Sequence, residues 1–314
     1  MAASTILVTA PRACEAIDLY REALEPRGWR LLIHPPVERH DEASLLVLVP
    51  EVDGLICGDD KVTDRVLAAA PALRVIAKWG TGLDSIDRVA AQRRGVEVCN
   101  TPDAFSEPVA DSVMAYLLDF ARRPGEMTAR MRTGHWQRQP LVALHELTLG
   151  IVGFGHIGQA VARRAAAFGM RLLVHDVRPC DDDAQLFGAR VTSLNDLLAS
   201  SDCITLHADL RPENRHLIDA AAFSRMRPNA VLVNTARGAL IDEQALATSV
   251  ASGRIAGAAL DVFEDEPLPA SSPLRALHNV HLAPHNSNSS PAAAARVHAN
   301  TIRHVIRVLG PVAS

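Results

Sequence analysis

The chain has 314 residues, of which 48% are hydrophobic and 22% charged, with a formal net charge of -4. At roughly 150 residues per domain, that length implies two globular domains. The charge balance supplies neither a basic field for nucleic acid nor a polybasic patch for a membrane, so a small anionic ligand would need a local positive site.

The first apolar run, residues 6–8, is too short for a signal-peptide core or a membrane span. Residues 6–9 read as a strand and 12–24 as a helix. Strands follow at 31–34 and 53–57, then a helix at 64–70 and strands at 73–78 and 96–99. This alternation predicts a parallel α/β sheet. A long helical segment spans 107–131, with Val109, Val113, Met114, Leu117, Leu118 and Phe120 near helical spacing and Pro124 and Gly125 as its breakers. Strands resume at 147–153, 171–176, 203–207, 231–234, 257–260 and 280–283. Residues 291–309 read as a terminal helix with Pro291 in its first turn. Neither an internal repeat nor a low-complexity region is present.

Five cysteines, Cys14, Cys57, Cys99, Cys180 and Cys203, form no CxxC pair, so neither zinc nor a redox motif is suggested. Their odd number fits a reducing cytoplasm. Cys57, Cys99 and Cys203 lie in apolar runs and read as small core residues. The acidic run 181–183 reads as a solvated loop, and no metal site is expected.

The strongest local signal is LTLGIVGFGHIGQAVARRAAAFGMRLLVHD, in which Gly153, Gly155 and Gly158 form GxGxxG. The motif follows a predicted strand and opens a predicted helix. The next strand ends on Asp176, eighteen residues after Gly158. Gly153 permits the tight turn, Gly155 lets the backbone approach a pyrophosphate, and Gly158 brings helix and strand together. The helix N-terminus offers free N–H groups and a positive dipole end to phosphates. Asp176 can accept from both ribose hydroxyls and would repel a 2'-phosphate, which favours NAD over NADP; Arg178, two residues on, softens that preference.

Three further segments place charged residues where strands end: VLVNTARGALID with Arg237, GAALDVFEDEPL with Asp261, Glu264, Asp265 and Glu266, and VHLAPHNSNSSP with His285. In doubly wound sheets, ligands bind outside the carboxyl ends of the strands. Hydride transfer to a keto acid needs a proton donor at the carbonyl oxygen, and histidine titrates in the right range. A carboxylate on its far nitrogen fixes the tautomer, while arginine offers a planar fork for a substrate carboxylate. His207 and His216 read as ordinary structural histidines, although His207 ends a strand on the cofactor side. Asp261 reads as a residue that shapes its loop.

Several motifs in order carry a resemblance over nearly the whole chain: KWGTGLDSID at 78–87, NTPDAFSEPVAD at 100–111, the GxGxxG, NTARG at 234–238, LDVFEDEP at 260–267 and APH at 283–285. The chain resembles the D-isomer-specific 2-hydroxyacid dehydrogenases, in particular the phosphoglycerate dehydrogenase-like branch. The resemblance implies two doubly wound Rossmann-like domains with parallel sheets. The NAD-binding domain, 101–284, would be inserted into a substrate-binding domain of 1–100 plus 285–314. It implies that Arg237 binds the substrate carboxylate and keto oxygen and that Glu266 pairs with the catalytic His285. Lys78, Trp79, Gly80, Thr81 and Gly82 would contact substrate together with Arg237 and His285. The expected cofactor contacts are Gly153, Gly155, His156, Ile157, Gly158 and Asp176, with Thr235, Ala236 and Asp261. The helix near 107–131 and the arm Gly134, His135, Trp136 would build a homodimer. Neither nucleic acid nor a membrane is an expected partner.

The chain departs from the family pattern in three places. Asn286–Ser287–Asn288–Ser289 stands where a glycine-rich run often follows the histidine, and asparagine tolerates the left-handed turn required there. Phe105 stands where the family commonly has asparagine. The 58–61 loop, Gly-Asp-Asp-Lys, carries two acids where phosphoglycerate dehydrogenases supply an arginine, an arrangement repulsive to a substrate phosphate unless Lys61 or Lys78 offsets it. Phosphoglycerate and the unphosphorylated acids hydroxypyruvate and glyoxylate are therefore all candidate substrates. Phosphite oxidation also keeps an Arg–Glu–His set, whereas formate enzymes replace the glutamate with glutamine. A dinucleotide-sensing corepressor is the reading from another class.

Overall fold

The computed structural model describes residues 4–310, so the outermost residues of the expected first domain, 1–3 and 311–314, lie outside the described residues. The chain divides into two compact units: residues up to Ala104 together with those from Ser290, and Phe105–Ser289. His285, expected in the returning segment of the substrate domain, thus belongs to the second unit, and residues 101–104 belong to the first.

The first unit holds a five-stranded sheet of β1 (Thr5–Val8), β2 (Arg30–Ile33), β3 (Gly54–Cys57), β4 (Val75–Lys78) and β5 (Glu97–Cys99), all parallel, in the order β2-β1-β3-β4-β5. β1, β3 and β4 are buried throughout. That explains why they read as unbroken apolar runs rather than alternating patterns. Leu7, Leu55 and Ile76 pack on one face, and Ile6, Val8, Ile56 and Val75 on the other. The helix Pro291–Leu309 covers this second face. Ser290 caps it, Pro291 opens it, and Ala293, Val297, Thr301, Val305 and Leu309 recur along its buried stripe.

The second unit holds seven parallel strands: β6 (Thr148–Val152), β7 (Arg171–His175), β8 (Arg190–Val191), β9 (Cys203–Leu206), β10 (Val231–Asn234), β11 (Gly257–Leu260) and β12 (Val280–Leu282). Their order is β12-β11-β10-β9-β6-β7-β8. The order reverses between β6 and β9, and such a switch point opens a crevice at the carboxyl ends of the strands. Along β10, Leu232 faces one core while Val231 and Val233 face the other.

The expected continuous helix 107–131 is two helices, Ser106–Arg122 and Pro124–Arg132, joined through Arg123 at φ 45°. Proline disfavours the helical conformation in the residue before it, so the break falls on Arg123 and Pro124 starts the second helix. The acidic run 181–183 is not a loop: it forms the exposed first turn of the helix Asp181–Gln185, where carboxylates suit the helix dipole. Cys57, Cys99 and Cys203 are core residues, 0, 7 and 3% exposed. Among the described residues, no helix is long and apolar enough to cross a membrane.

Candidate active site

The glycine loop joins β6 to the helix His156–Ala167. Gly153 has φ +90°, and a Cβ there would lie 2.5 Å from the Ala208 nitrogen; one on Gly158 would lie 2.3 Å from the Gly153 oxygen. Side chains are thus excluded from the turn and from the helix–strand contact. At Gly155 a Cβ would meet only the Arg178 guanidinium, 4.0 Å away. The loop therefore leaves a bare backbone at the helix N-terminus, which is what a pyrophosphate requires.

A cleft of about 250 Å³ opens at this switch point, lined by Gly153, Gly155, Asp176, Arg178, His207 and Arg211 among others. The Asp176 carboxylate accepts from the backbone N–H of Phe154 at 2.7 Å and of Arg178 at 2.8 Å. Burial alone would raise its pKa. The two N–H groups and the Arg178 guanidinium outweigh burial and hold it below the ordinary carboxylate range. Asp176 is therefore a fixed negative charge at the cleft.

His207 lines the same cleft, which its reading as a structural histidine misses; its position at a strand end was the available signal. Its Nε2 lies 3.0 Å from Thr205 Oγ1, and burial pushes its pKa down to about 3. Its Nδ1 is buried without a hydrogen-bond partner among the described residues, and so is Thr235 Oγ1. Open backbone, a charged acceptor and polar atoms awaiting partners fit a dinucleotide.

Arg237, Glu266 and His285 follow β10, β11 and β12, three neighbouring strands whose last residues Asn234, Leu260 and Leu282 are in register. Each is held by backbone contacts. The buried Asn234 side chain accepts from Ala236 N at 3.0 Å and donates to Arg237 O at 2.8 Å, closing the turn that presents the arginine. A Cβ on Gly238 would stand 1.9 Å from the carbonyl carbon of Phe263, so this glycine lets the arginine turn lie against the acidic loop. Asp261, 1% exposed, receives the N–H groups of Asn286 and Ser287, both at 2.8 Å. Its side chain anchors the histidine segment, matching its reading as a loop-shaping residue.

His285 Nδ1 lies 3.0 Å from Glu266 Oε2, and the other carboxylate oxygen accepts from Phe263 N at 2.9 Å. The left-handed residue of this turn is His285 itself, at φ 49°, rather than an asparagine. Such a conformation in a non-glycine residue costs about 1–3 kcal/mol and gathers at functional sites. Glu264 adds a second layer, accepting from His216 at 3.0 Å and Arg215 at 2.9 Å. Although burial opposes it, these donors and the Glu243 N–H keep Glu264 below the usual carboxylate range. His216 is thus part of the loop's anchorage.

In the first unit, the segment 78–82 follows β4. Lys78 is 3% exposed and its ammonium sits 2.6 Å from Asp59, so its charge is engaged within the unit. Asp60 is fully buried and accepts from Thr9 Oγ1, His40 N and Gly58 N. The two acids of the 58–61 loop therefore do not form a shared anionic patch, which corrects the simple repulsion argument. Gly80 has φ +143°, and its carbonyl accepts from Thr101 N at 3.0 Å.

The family model for the NAD-binding domain of D-isomer specific 2-hydroxyacid dehydrogenases matches residues 114–287. The chain belongs to the D-isomer-specific 2-hydroxyacid dehydrogenase family. It is 42% identical to a glyoxylate reductase of Thermococcus litoralis over 92% of this chain and 88% of the relative. It is 38% identical to a D-3-phosphoglycerate dehydrogenase of Methanocaldococcus jannaschii over 96% of this chain, which spans 57% of that relative's length. Among solved structures, a D-lactate dehydrogenase from Aquifex aeolicus, complexed with NAD and lactic acid, superposes with a TM-score of 0.87 at 28% identity; the match covers 98% of this chain and 95% of that one. This dehydrogenase is an oxidoreductase, and NAD is its cofactor.

Proposed function

We propose that this dehydrogenase reduces a short, unphosphorylated 2-oxo acid of the glyoxylate or hydroxypyruvate kind to the 2-hydroxy acid, the D enantiomer where C2 is a stereocentre, with 3-phosphoglycerate oxidation as the alternative. The observation that carries the reading is the 3.0 Å His285–Glu266 pair on the strand edge that also presents Arg237 and the glycine loop.

A bound NADH would supply the hydride for the substrate C2. Arg237 holds the substrate carboxylate and polarises the keto oxygen through its planar fork. Glu266 accepts the Nδ1–H of His285 and stabilises its imidazolium form, whose Nε2–H donates a proton to the developing alkoxide and leaves the neutral Nδ1–H imidazole. Gly153, Gly155, His156, Ile157 and Gly158 cradle the dinucleotide phosphates, Asp176 takes the adenosine ribose, and Thr235 and Ala236 line its path. Asp261 acts by holding residues 285–287. The loop of Trp79, Gly80, Thr81 and Gly82 is the second substrate-binding segment, with Lys78 neutralised behind it by Asp59. The 42% identity to a glyoxylate reductase favours an unphosphorylated acid. The exposed Trp136 and Met131, 86 and 51% accessible, support the expected homodimer, which sedimentation velocity tests.

Oxidation of NADH followed at 340 nm with glyoxylate, hydroxypyruvate, phosphohydroxypyruvate, pyruvate and 2-ketoglutarate decides the substrate. Highest kcat/KM on glyoxylate or hydroxypyruvate is the expected outcome. Preference for phosphohydroxypyruvate overturns the unphosphorylated assignment, and absence of turnover on all five overturns the reductase reading.

A further inference from the structure

Behind the proposed substrate loop lies a buried polar cluster that the proton-transfer chemistry does not use. Trp79, the residue before Gly80, directs its indole N–H at His298 Nδ1, 3.1 Å away. The Tyr20 hydroxyl lies 2.8 Å from the same nitrogen. His298 is 9% exposed on the inner stripe of the helix Pro291–Leu309, and Tyr20 is fully buried. The His298 ring meets the indole at 5.4 Å between centroids and the phenol at 5.6 Å.

An indole nitrogen can only donate. The bond therefore requires a lone pair on His298 Nδ1 and places the ring proton on Nε2. A protonated imidazole would set two N–H groups against each other. Tyr20 could turn its hydroxyl and accept, but Trp79 has no such alternative. Burial, which lowers the His298 pKa, keeps the acceptor form in place.

The loop has matching anchors on its far side. The Gly80 carbonyl accepts from Thr101 N at 3.0 Å, Thr81 Oγ1 donates to the Thr101 carbonyl at 3.2 Å, and the Asn100 amide donates to the Thr81 carbonyl at 2.6 Å. Residues 80 and 81 are thus tied to 100–101, whereas the indole at the loop's start is tied to the terminal helix. The left-handed Gly80 lies between these anchorages; the Trp79 backbone N–H stays bonded to the Cys57 carbonyl at 2.8 Å, so freeing the indole removes the side-chain anchor at the loop's start and leaves its main-chain ties.

We infer that His298 is a positioning residue for substrate binding, holding Trp79 and with it the 79–82 loop through a neutral Nδ1 acceptor. The inference rests on the reading of that loop as a substrate-binding segment. His298 touches neither hydride nor proton transfer, so its loss acts on KM rather than kcat.

The test uses His298→Leu, which removes the acceptor; Trp79→Phe, which removes the donor but keeps a ring; and His298→Asn, whose side-chain oxygen takes the place of Nδ1. In His298→Leu, KM for glyoxylate rises about five- to tenfold, the scale of one neutral hydrogen bond, while kcat and NADH affinity stay within about twofold, and in Trp79→Phe KM rises at least as far. The double variant shows no further rise, and His298→Asn stays close to wild type. In an indole 1H–15N spectrum, the cross-peak lost in Trp79→Phe moves in His298→Leu and returns in His298→Asn. Unchanged KM, kcat falling in step with KM, additive single effects, or His298→Asn as impaired as His298→Leu would each overturn the inference. Should His298→Leu not fold, Trp79→Phe and His298→Asn carry the same comparison. A wild-type enzyme inactive on every 2-oxo acid defeats the functional reading instead, and the indole spectrum still reports whether His298 holds Trp79.

Discussion

The two parallel sheets finish differently at their carboxyl edges. After β10, β11 and β12 of the second unit, Arg237, Glu266 and His285 are each fixed by main-chain contacts made through Asn234, Phe263 and Asp261. After β3 and β4 of the first unit, the charges turn inward: Asp60 is fully buried, and Lys78 is neutralised by Asp59. What that edge offers instead is a glycine loop with an indole at its start. Proton transfer requires ionisable groups with one side already bound and the other available, whereas binding an anion through backbone N–H groups requires that nearby side-chain charges be satisfied elsewhere.

The sharpest test of this contrast removes the proposed proton donor. Replacing His285 with alanine should lower kcat by about 10²–10⁴-fold, the usual worth of positioned acid–base catalysis, while NADH fluorescence titration gives an unchanged affinity. Turnover near wild type would mean that the edge of the second unit does not supply the proton. Next in size is Gly238→Ala. Its Cβ would fall 1.9 Å from backbone, so the arginine turn and the acidic loop must separate. We expect a loss of about 2–3 kcal/mol in urea unfolding, with activity falling further than stability explains.

On the first unit's edge, the two halves of the buried pair should behave unequally. Asp59→Ala strands an ammonium that is 3% exposed and should cost about 3 kcal/mol, whereas Lys78→Met fills the same space without charge and should be nearly neutral. Equal losses in thermal unfolding would show that the pair is not the buried unit described here. The smallest expected effect concerns Glu243, whose pKa is raised by burial and by the neighbouring carboxylates Glu264, Asp265 and Glu266. A carboxyl group raised in the folded state favours folding at pH below its unfolded value, and that contribution is lost as pH rises through the folded value. Glu243→Gln keeps an acceptor for the Glu264 N–H and should raise Tm slightly at pH 7, with the gain vanishing below the ordinary carboxylate range. A gain that grows as pH falls would reverse the assigned sign.

Much of this protein was legible in the sequence because its chemistry is local. A fully buried parallel strand must be an apolar run, so the strands of both sheets stood out except the two-residue edge strand β8, Arg190–Val191, which is not buried. The glycine fingerprint spans six residues, although the side chain excluded at Gly153 would strike the distant Ala208 backbone, and Asp176 follows at the end of the next strand. The repeated ending of a strand near charged residues pointed to the segments of Arg237, of Asp261, Glu264, Asp265 and Glu266, and of His285, and the family resemblance singled out Glu266 among the acids. Local rules were weaker where two of them competed: the apolar period carried a helix across 107–131, while the residue before Pro124 broke it. Tertiary structure alone decided the pairings between distant segments. Lys78 is drawn to Asp59, Asp60 to Thr9 and His40, and His298 to Trp79 and Tyr20 across more than two hundred residues. A buried polar group takes whatever partner the fold brings within reach, and no spacing along the chain encodes that distance.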